Sequence, residues 1–209
     1  MPEASQIAAF ILASAVLGIT PGPDIIYVIV RGATQGPRAG LAAAAGLCTG
    51  IIGHTALCVA GVSALLVASA TAFAIVKYAG ALYLIWLGYS FWRGNGQIDL
   101  AAGGATQPAS AIYRQTILMN LLNPKVALFF LAFLPQFASP ANGPLAPQLA
   151  LLGFLFMIVS FIVMGTAGLA GGQVRRFLSD RPSGLRGMNY AAGGVLMALG
   201  WRLIYEEAR

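Results

Sequence analysis

The sequence predicts an all-α integral membrane protein of six transmembrane helices in a single domain, residues 1–209. Of its 209 residues, 58% are hydrophobic and only 9% are Asp, Glu, Lys or Arg, whereas about a quarter of an ordinary soluble domain is charged. The mean hydropathy is +0.80. Because a helix needs about 20 residues to cross the hydrocarbon core, a chain of this length holds six spans with short loops. The composition excludes a disordered chain, a disulfide scaffold and a nucleic-acid-binding protein.

Six apolar runs follow one another along the chain. They are too long for barrel strands, which need about ten residues of alternating polarity, and backbone groups in lipid are best satisfied within a helix. We therefore expect helices at about residues 5–30, 39–67, 73–92, 115–134, 147–171 and 188–205. The connections are predicted from their Gly, Ala, Ser and Pro content as a tight turn at 69–72 and flexible segments at 93–115 and 135–147.

Positive charge is distributed unequally between the predicted loops. Lys and Arg disfavour translocation, so they collect in cytoplasmic loops. The second and fourth loops contain neither, whereas the first, third and fifth contain Arg31, Arg38, Arg93, Arg114, Arg175, Arg176, Arg181 and Arg186. The odd loops are therefore predicted to be cytoplasmic and both termini to lie outside. The net charge of +6 follows from this topology rather than from a polyanionic partner.

The two halves of the sequence share features that predict two inverted repeats of three helices each. Repeat one covers about residues 1–92, a cytoplasmic linker about 93–114, and repeat two about 115–209. The first helix of each half is broken by proline, and an ionisable residue follows each break: Pro21-Gly22-Pro23-Asp24 and Pro124-Lys125. The third helix of each half repeats one spacing: Leu84, Leu87, Gly88 and Tyr89 against Leu196, Leu199, Gly200 and Trp201. Many secondary transporters place their site where such broken helices meet.

Asp24 and Lys125 are the main candidates for binding a substrate or an ion. Asp24 falls in the first turn of a restarted helix, where the helix dipole favours an anion. The alternative is that Asp24 only caps this helix. Lys125 lies about 16 Å along a helix from Arg114, too deep to snorkel, so it needs a partner or a water-filled cavity. Asn120 and Asn123 share one helix face and suit either substrate contact or interhelical hydrogen bonds.

Three further polar residues are candidates for a proton relay or for lining a cavity: His54, Lys77 and Tyr27. Histidine titrates near physiological pH, but His54, the only histidine, is equally compatible with a packed structural role. Lys77 lies near a helix end, where snorkelling is the alternative, and Tyr27 is also compatible with packing. Two pairs of glycines have the spacing of close helix contacts, within one chain or across a homodimer: Gly46 with Gly50, and Gly168 with Gly172.

Signals of catalysis or of a resident cofactor are absent from the sequence. It contains no metalloprotease motif, nucleophile elbow or P-loop. One histidine, two separated cysteines and a single carboxylate within the spans are a poor ligand set for a metal ion. We therefore predict no catalytic residues, no metal site, no cofactor and no nucleic-acid partner.

Four blocks of sequence occur in a specific order and spacing. They are TPGPD at 20–24, GPRAGL at 36–41 leading to Gly46, KYAGALYL at 77–84 with Gly88, and NLLNPK at 120–125 continuing to FLPQF at 133–137. Together they resemble the LysE/RhtB family of bacterial amino-acid exporters. The resemblance covers the first four helices in order and the sixth more loosely. One departure is Thr116, where relatives often have glycine, so the cytoplasmic approach to the site is expected to differ.

The resemblance implies a protein of the bacterial cytoplasmic membrane that exports amino acids or close derivatives, such as homoserine, its lactone or threonine, driven by the proton-motive force. The residues add a hypothesis for the site. The α-ammonium of the substrate would meet Asp24 and carbonyls freed by proline, and the α-carboxylate would meet Lys125 and the asparagine amides. Asp24 and Lys125 would alternate as partners for each other and for the zwitterion. Either Asp24 or His54 could carry a coupling proton, or the membrane potential alone could act.

Two other functions stay open at this stage. A divalent-cation or small-molecule efflux protein of related fold would need clustered carboxylate, Cys or His ligands. A non-transporting membrane subunit would need polar faces satisfied by a partner protein, and it would leave Asp24 and Lys125 unexplained.

Overall fold

The computed structural model describes residues 2–20, 22–68, 70–93, 105–180 and 182–205. Within these ranges every regular element is helical and no strand is present, which confirms the predicted all-α class for this part of the chain. The α-helices are α1 (Ala4–Ile19), α2 (Pro23–Gln35), α3 (Pro37–Ala68), α4 (Ala70–Trp92), α5 (Ala109–Leu121), α6 (Pro124–Leu128), α7 (Leu145–Leu169), α8 (Gly171–Asp180) and α9 (Pro182–Tyr205). A π-helical turn (Phe129–Phe133) and two 3₁₀ turns (Leu134–Phe137 and Pro140–Asn142) lie between α6 and α7.

Within the described residues, two single helices and two bent helix pairs are long enough to cross a membrane. Residues Pro37–Gly61 of α3 and all of α7 are each 25 residues long and apolar enough to cross a bilayer. The α1–α2 pair and the pair formed by α5 with Pro124–Phe137 pass the same test only when each pair is taken together. The described residues therefore supply two clear spans, or up to four if each bent pair is one span.

Both predicted helix breaks are present. The axis bends by 59° between α1 and α2 and by 49° between α5 and the segment that starts at Pro124. Pro23 and Pro124 each occupy the first position of the restarted helix. The N–H at this position has no acceptor within the helix, so proline removes no hydrogen bond there. Asn123 caps α6, since its Oδ1 accepts a hydrogen bond from the Lys125 backbone N–H at 2.9 Å. Pro21 lies outside the described residues.

Several predicted boundaries are wrong. Helix α5 begins at Ala109, six residues before the predicted helix start at about residue 115. Helix α4 already begins at Ala70, inside the predicted turn, of which Ser69 lies outside the described residues. The segment 135–147 contains 3₁₀ turns braced by Gln148, whose Nε2 donates to the carbonyls of Ser139 and Gly143, both at 2.9 Å. Polar side chains and apolar helix packing thus order segments that composition alone assigns to loops.

The core next to the second break is built from aromatic side chains. Pro135 has no N–H for the carbonyl four residues earlier, and the helix after α6 changes to π and then 3₁₀ geometry around it. This stretch contributes most of a cluster of buried rings with centroids 4.9 to 6.3 Å apart: Phe10, Phe129, Phe130, Phe133, Phe137 and Phe156.

Glycines let the helices around the breaks approach closely. A Cβ on Gly50 of α3 would lie 2.8 Å from Asn120 Cβ of α5, and one on Gly46 would collide with Thr116 Oγ1. A Cβ on Gly168 of α7 would lie 2.8 Å from Gly40 of α3, whereas Gly172 has nothing within 4 Å. Three of the four glycines predicted to form close contacts therefore serve packing within one chain.

Candidate functional site

Each helix break leaves a backbone carbonyl without its helical donor, and a side chain from elsewhere satisfies it. Proline has no N–H, so Pro21 and Pro124 cannot bond the carbonyls of Leu17 and Asn120, four residues earlier. Lys125 Nζ donates to the carbonyl of Leu17 at 3.3 Å and to that of Thr20 at 3.4 Å. His54 Nε2 lies 2.9 Å from the carbonyl oxygen of Asn120. Both carbonyls therefore accept hydrogen bonds from side chains of other helices.

Hydrogen bonds of Asp24 and Lys125 join the two broken helix pairs: Asp24 connects the start of α2 to the end of α5, and Lys125 connects the start of α6 to the end of α1. Asp24, the second residue of α2, accepts a hydrogen bond on Oδ2 from Asn120 Nδ2 near the end of α5, at 3.1 Å. Lys125, the second residue of α6, donates to carbonyls at the end of α1. These two contacts together connect the ends of α1 and α5 with the starts of α6 and α2. Their side chains are almost completely buried, at 2% exposure for Asp24 and 8% for Lys125.

Within the part of the chain that the structure describes, three buried polar atoms of this cluster lack a partner at hydrogen-bonding distance and angle. Two are acceptors, Asp24 Oδ1 and Asn120 Oδ1, and one is a donor, Asn123 Nδ2. Buried polar groups in proteins are nearly always paired, so unpaired ones call for an explanation. Two acceptors beside one donor and a lysine have the hydrogen-bonding capacity to hold an ammonium group and a carboxylate.

The charges of the site influence each other without forming a direct ion pair. The Lys125 ammonium, the amides of Asn120 and Asn123, and His54 all act electrostatically on the Asp24 carboxylate. Among the described residues, Lys125 Nζ nevertheless donates to the carbonyls of Leu17 and Thr20 rather than to Asp24. Asp24 Oδ2 accepts from Asn120 at 3.1 Å, and the Asn123 amide lies close enough to interact with the same carboxylate. The structure therefore differs from the expected direct pairing of Asp24 with Lys125. It also shows that Lys125 itself occupies the carbonyls that were expected to receive a substrate ammonium.

Of the three candidates for a relay or a cavity lining, one lies at the break. His54 is 4% exposed and its ring centroid is 5.8 Å from that of Phe130. Tyr27 lies one turn further along α2 than Asp24 and donates its hydroxyl to Gln115 Oε1 of α5 at 2.9 Å. Lys77 of α4 is 4% exposed, with Nζ 5.8 Å from the centroid of the Tyr78 ring, so it is buried rather than extended to the surface like a snorkelling lysine.

Sequence reasoning missed a second polar cluster, at the end of α2 that is farther from the break. Arg31 is 6% exposed, and its Nη1 and Nη2 donate to the carbonyl of Ala105 and to Gln107 Oε1, both at 3.1 Å. Gln35 Oε1 accepts from the Gln107 backbone N–H at 3.0 Å. The signal was the helical spacing of residues 24, 27, 31 and 35 on one face of α2, but Arg31 was counted only as a loop charge.

Two other features lie apart from the break. A cavity of about 300 Å³ opens between α3 and α7. Its lining is mostly apolar and includes none of the candidate site residues.

Thr116, the residue that departs from the resemblance, is fully buried and bonds the Ile112 carbonyl of its own helix at 3.0 Å. It fills the space beside Gly46, and its expected effect on the cytoplasmic approach stays a prediction. Among the residues that the structure describes, no group of three or more His, Cys, Asp or Glu side chains is placed to hold a metal ion.

Comparison with known proteins gives consistent matches over most of the chain. The family model described as LysE type translocator matches residues 15–207. The homoserine/homoserine lactone efflux protein of Salmonella typhimurium is 35% identical over 192 residues, which is 92% of each chain. The leucine efflux protein of Enterobacter sp. (strain 638) is 32% identical over 164 residues, 78% of each chain. An uncharacterized membrane protein of Vibrio cholerae is 33% identical over 201 residues, 96% of this chain and 97% of that protein. No solved structure matches the chain.

Proposed function

The chain belongs to the LysE type translocator family, and we propose that it exports a neutral amino acid or a close derivative of one from the cytoplasm across the bacterial cytoplasmic membrane. Relatives named for efflux of homoserine, homoserine lactone and leucine support a substrate with an uncharged side chain. Homoserine, its lactone, threonine and leucine are therefore the first substrates to test.

The observation that carries the proposal is the set of unpartnered polar atoms at the place where the two broken helices meet. The substrate ammonium binds between Asp24 Oδ1 and Asn120 Oδ1, the two free acceptors. The substrate carboxylate accepts a hydrogen bond from Asn123 Nδ2, the free donor. In a buried site such charge-assisted hydrogen bonds are stronger than those between neutral groups. The zwitterionic end of the substrate thus satisfies atoms that the protein alone leaves unpaired.

Lys125 links substrate binding to the position of α1. Its ammonium holds the end of α1 through the carbonyls of Leu17 and Thr20. A substrate carboxylate at Asn123 competes for this ammonium, because a carboxylate is a stronger acceptor than a peptide carbonyl. Once Lys125 turns to the carboxylate, α1 is released from α6. The protein thus has two arrangements, one with Lys125 bound to α1 and one with Lys125 bound to the substrate, and the substrate favours the second. Alternating access requires such a ligand-dependent equilibrium.

Asp24 is the residue we propose to couple export to the proton-motive force. It is the acid of the site, and its free oxygen faces the position assigned to the ammonium. A proton on this carboxylate removes the negative charge that attracts the ammonium, so protonation from outside favours release of the substrate. A flux that follows the membrane potential and ignores a pH gradient would instead favour transport driven by the potential alone.

The proposed architecture is two inverted repeats with six spans, adding α4 and α9 to the four spans counted above. Helices α4 and α9 pack against each other in antiparallel fashion through their glycines. A Cβ on Gly88 would meet the carbonyl of Gly193 and Met197, and one on Gly200 would meet the carbonyl of Ala81 and Ile85. Gly88 and Gly200 occupy equivalent positions in the two repeats, and so do the residues they contact: Ala81 corresponds to Gly193, and Ile85 corresponds to Met197. A two-fold axis between the repeats requires this correspondence. With loops one, three and five in the cytoplasm, both termini lie outside.

Counterflow in proteoliposomes tests the proposed function directly. Vesicles containing the purified protein and loaded with one unlabelled compound are mixed with trace radiolabelled compound, for the twenty amino acids, homoserine and homoserine lactone. We expect saturable accumulation for a subset of neutral compounds, and none in vesicles that lack protein. If no compound in the panel accumulates above the protein-free vesicles, amino-acid export is excluded as the activity of this chain.

A further inference from the structure

His54 lies at the break, and the proposed function gives it no role. It is the only histidine in the chain and lies on α3, 4% exposed. Its Nε2 is 2.9 Å from the carbonyl oxygen of Asn120. A carbonyl oxygen only accepts hydrogen bonds, so Nε2 carries a proton and donates it to this bond.

The carbonyl that His54 contacts is the one that Pro124 leaves without a helical donor. The backbone N–H of Asn123 also donates to it, at 2.9 Å, so its two lone pairs are filled by one donor from the break and one from α3. The side chain of the same residue, Asn120, donates to Asp24. The orientation of the Asn120 amide toward the substrate therefore depends on a backbone segment that His54 holds in place.

We propose that His54 is a positioning residue: its Nε2–H fixes the end of α5 and thereby the Asn120 amide, and it does not relay protons. The inference rests on the proposed function, because it concerns the site assigned there. A relay needs one ring nitrogen to receive a proton and the other to release it. With Nε2 bonded to a carbonyl that cannot take up a proton, this path is closed while the break keeps its structure.

The surroundings of His54 in the described part of the chain favour a fixed ring. Phe130 packs beside it at a centroid distance of 5.8 Å, and α7, which packs along α3, has no titratable residue in its sequence. Asp24 of α2 and Lys125 of α6 are charged groups at the break, and α4, which also packs against α3, carries the buried Lys77. On α5, Tyr113 is bonded to Thr49, more than one turn from His54.

Two substitutions separate positioning from proton relay. In His54→Gln the side-chain amide nitrogen reaches the place of Nε2, whereas in His54→Asn it reaches only the place of Nδ1. Neither amide titrates. We expect His54→Gln to export with kcat and KM within about threefold of the parent protein, and His54→Asn to raise KM about tenfold, the loss expected for one buried hydrogen bond. The parent and His54→Gln should also share one pH profile from about pH 5.5 to 8, where a histidine relay would titrate.

The opposite pattern would overturn the proposal. If His54→Gln loses export as completely as His54→Asn, or loses the pH dependence that the parent has, then the imidazole itself takes part in proton transfer. Both variants must reach the membrane and elute as folded protein, as the parent does, for the kinetic constants to be compared.

A second measurement does not depend on export. Because the chain has a single histidine, protein labelled with ¹⁵N-histidine in lipid bilayers gives one pair of ring nitrogen signals by solid-state NMR. We expect a proton on Nε2 throughout the same pH range and a signal shifted toward that of a hydrogen-bonded N–H. A ring with bare Nε2 at neutral pH would contradict the positioning role. Failure of the counterflow panel in the parent protein would instead contradict the proposed function, whatever the NMR result.

Discussion

At the scale of single residues, the site is a set of polar atoms whose local partners were removed by proline. Lys125 and His54 replace two of those partners, and Asp24 and Asn120 bind each other. This arrangement explains how an acid, a base and two amides can stay buried among apolar helices, since each has at least one hydrogen bond. The atoms left unpaired are those that we assign to the substrate.

Asp24→Asn and Lys125→Met are expected to differ in stability while both abolish export. Asparagine at position 24 can still accept from Asn120, so folding is retained, but the charge that binds the ammonium is lost. Methionine at position 125 leaves the carbonyls of Leu17 and Thr20 without a donor, which should lower the free energy of unfolding by about 1–3 kcal/mol. Denaturation in detergent and counterflow in proteoliposomes measure the two effects. The exposed Arg38→Met is the matched control and should change neither. Wild-type export by both variants would refute the site assignment.

Asn123 has two functions that substitution can separate. Its Oδ1 caps α6, and its Nδ2 is the free donor assigned to the carboxylate. Serine also caps helices well, so Asn123→Ser should keep stability and raise KM for homoserine about tenfold, with little change for the lactone, which has no free carboxylate. Asn123→Ala should also lose the cap, about 1 kcal/mol of stability. Equal effects of Asn123→Ser on homoserine and lactone would show that Nδ2 does not bind the carboxylate.

At the scale of elements, close packing of α3 on α5 holds the second break in position. Gly50 allows this approach, because a Cβ there would lie 2.8 Å from both Asn120 Cβ and Asn120 Oδ1. The four-residue spacing of Gly46 and Gly50 predicted a close helix contact. It did not predict the partner helix, because any helix with a complementary surface fits such a groove.

Gly50→Ala should therefore destabilise the protein by about 1–3 kcal/mol, the usual effect of overpacking, and should weaken export by displacing Asn120. Gly172→Ala is the matched control, since a Cβ at Gly172 meets nothing within 4 Å. We expect that variant to unfold at or above the parent midpoint and to export normally. The unfolding midpoint of the two purified variants in the same detergent measures the difference, and equal midpoints would contradict the packing described here.

At the scale of the whole molecule, charge distribution and helix order make a prediction about orientation. With the first loop in the cytoplasm and the fourth outside, a cysteine at Arg38 and one at Ala141 lie on opposite sides of the membrane. Both positions are exposed, whereas the native Cys48 and Cys58 are buried. A membrane-impermeant maleimide should label Ala141→Cys in intact spheroplasts and Arg38→Cys only after permeabilisation. The reverse pattern would invert the proposed topology and with it the direction of export.

Much of this protein could be predicted from its sequence because the governing forces are local. The hydrocarbon core imposes long apolar helices, and proline breaks a helix wherever it falls inside one. The all-α class, both breaks and the candidate residues Asp24, Asn120, Asn123 and Lys125 follow from these two facts. The start of α5 and the turns braced by Gln148 could not be predicted, because packing rather than local composition orders those segments.

The sequence by itself determined the medium in which the chain folds, the positions of its broken helices and the charged residues that the breaks expose. Only the tertiary structure decided which atoms meet. Lys125 binds carbonyls of α1 instead of Asp24, and His54 binds the carbonyl of Asn120. These contacts join residues far apart in the chain, so they depend on how the helices pack against each other. Hydropathy and spacing describe each helix separately and do not show which helix packs against which.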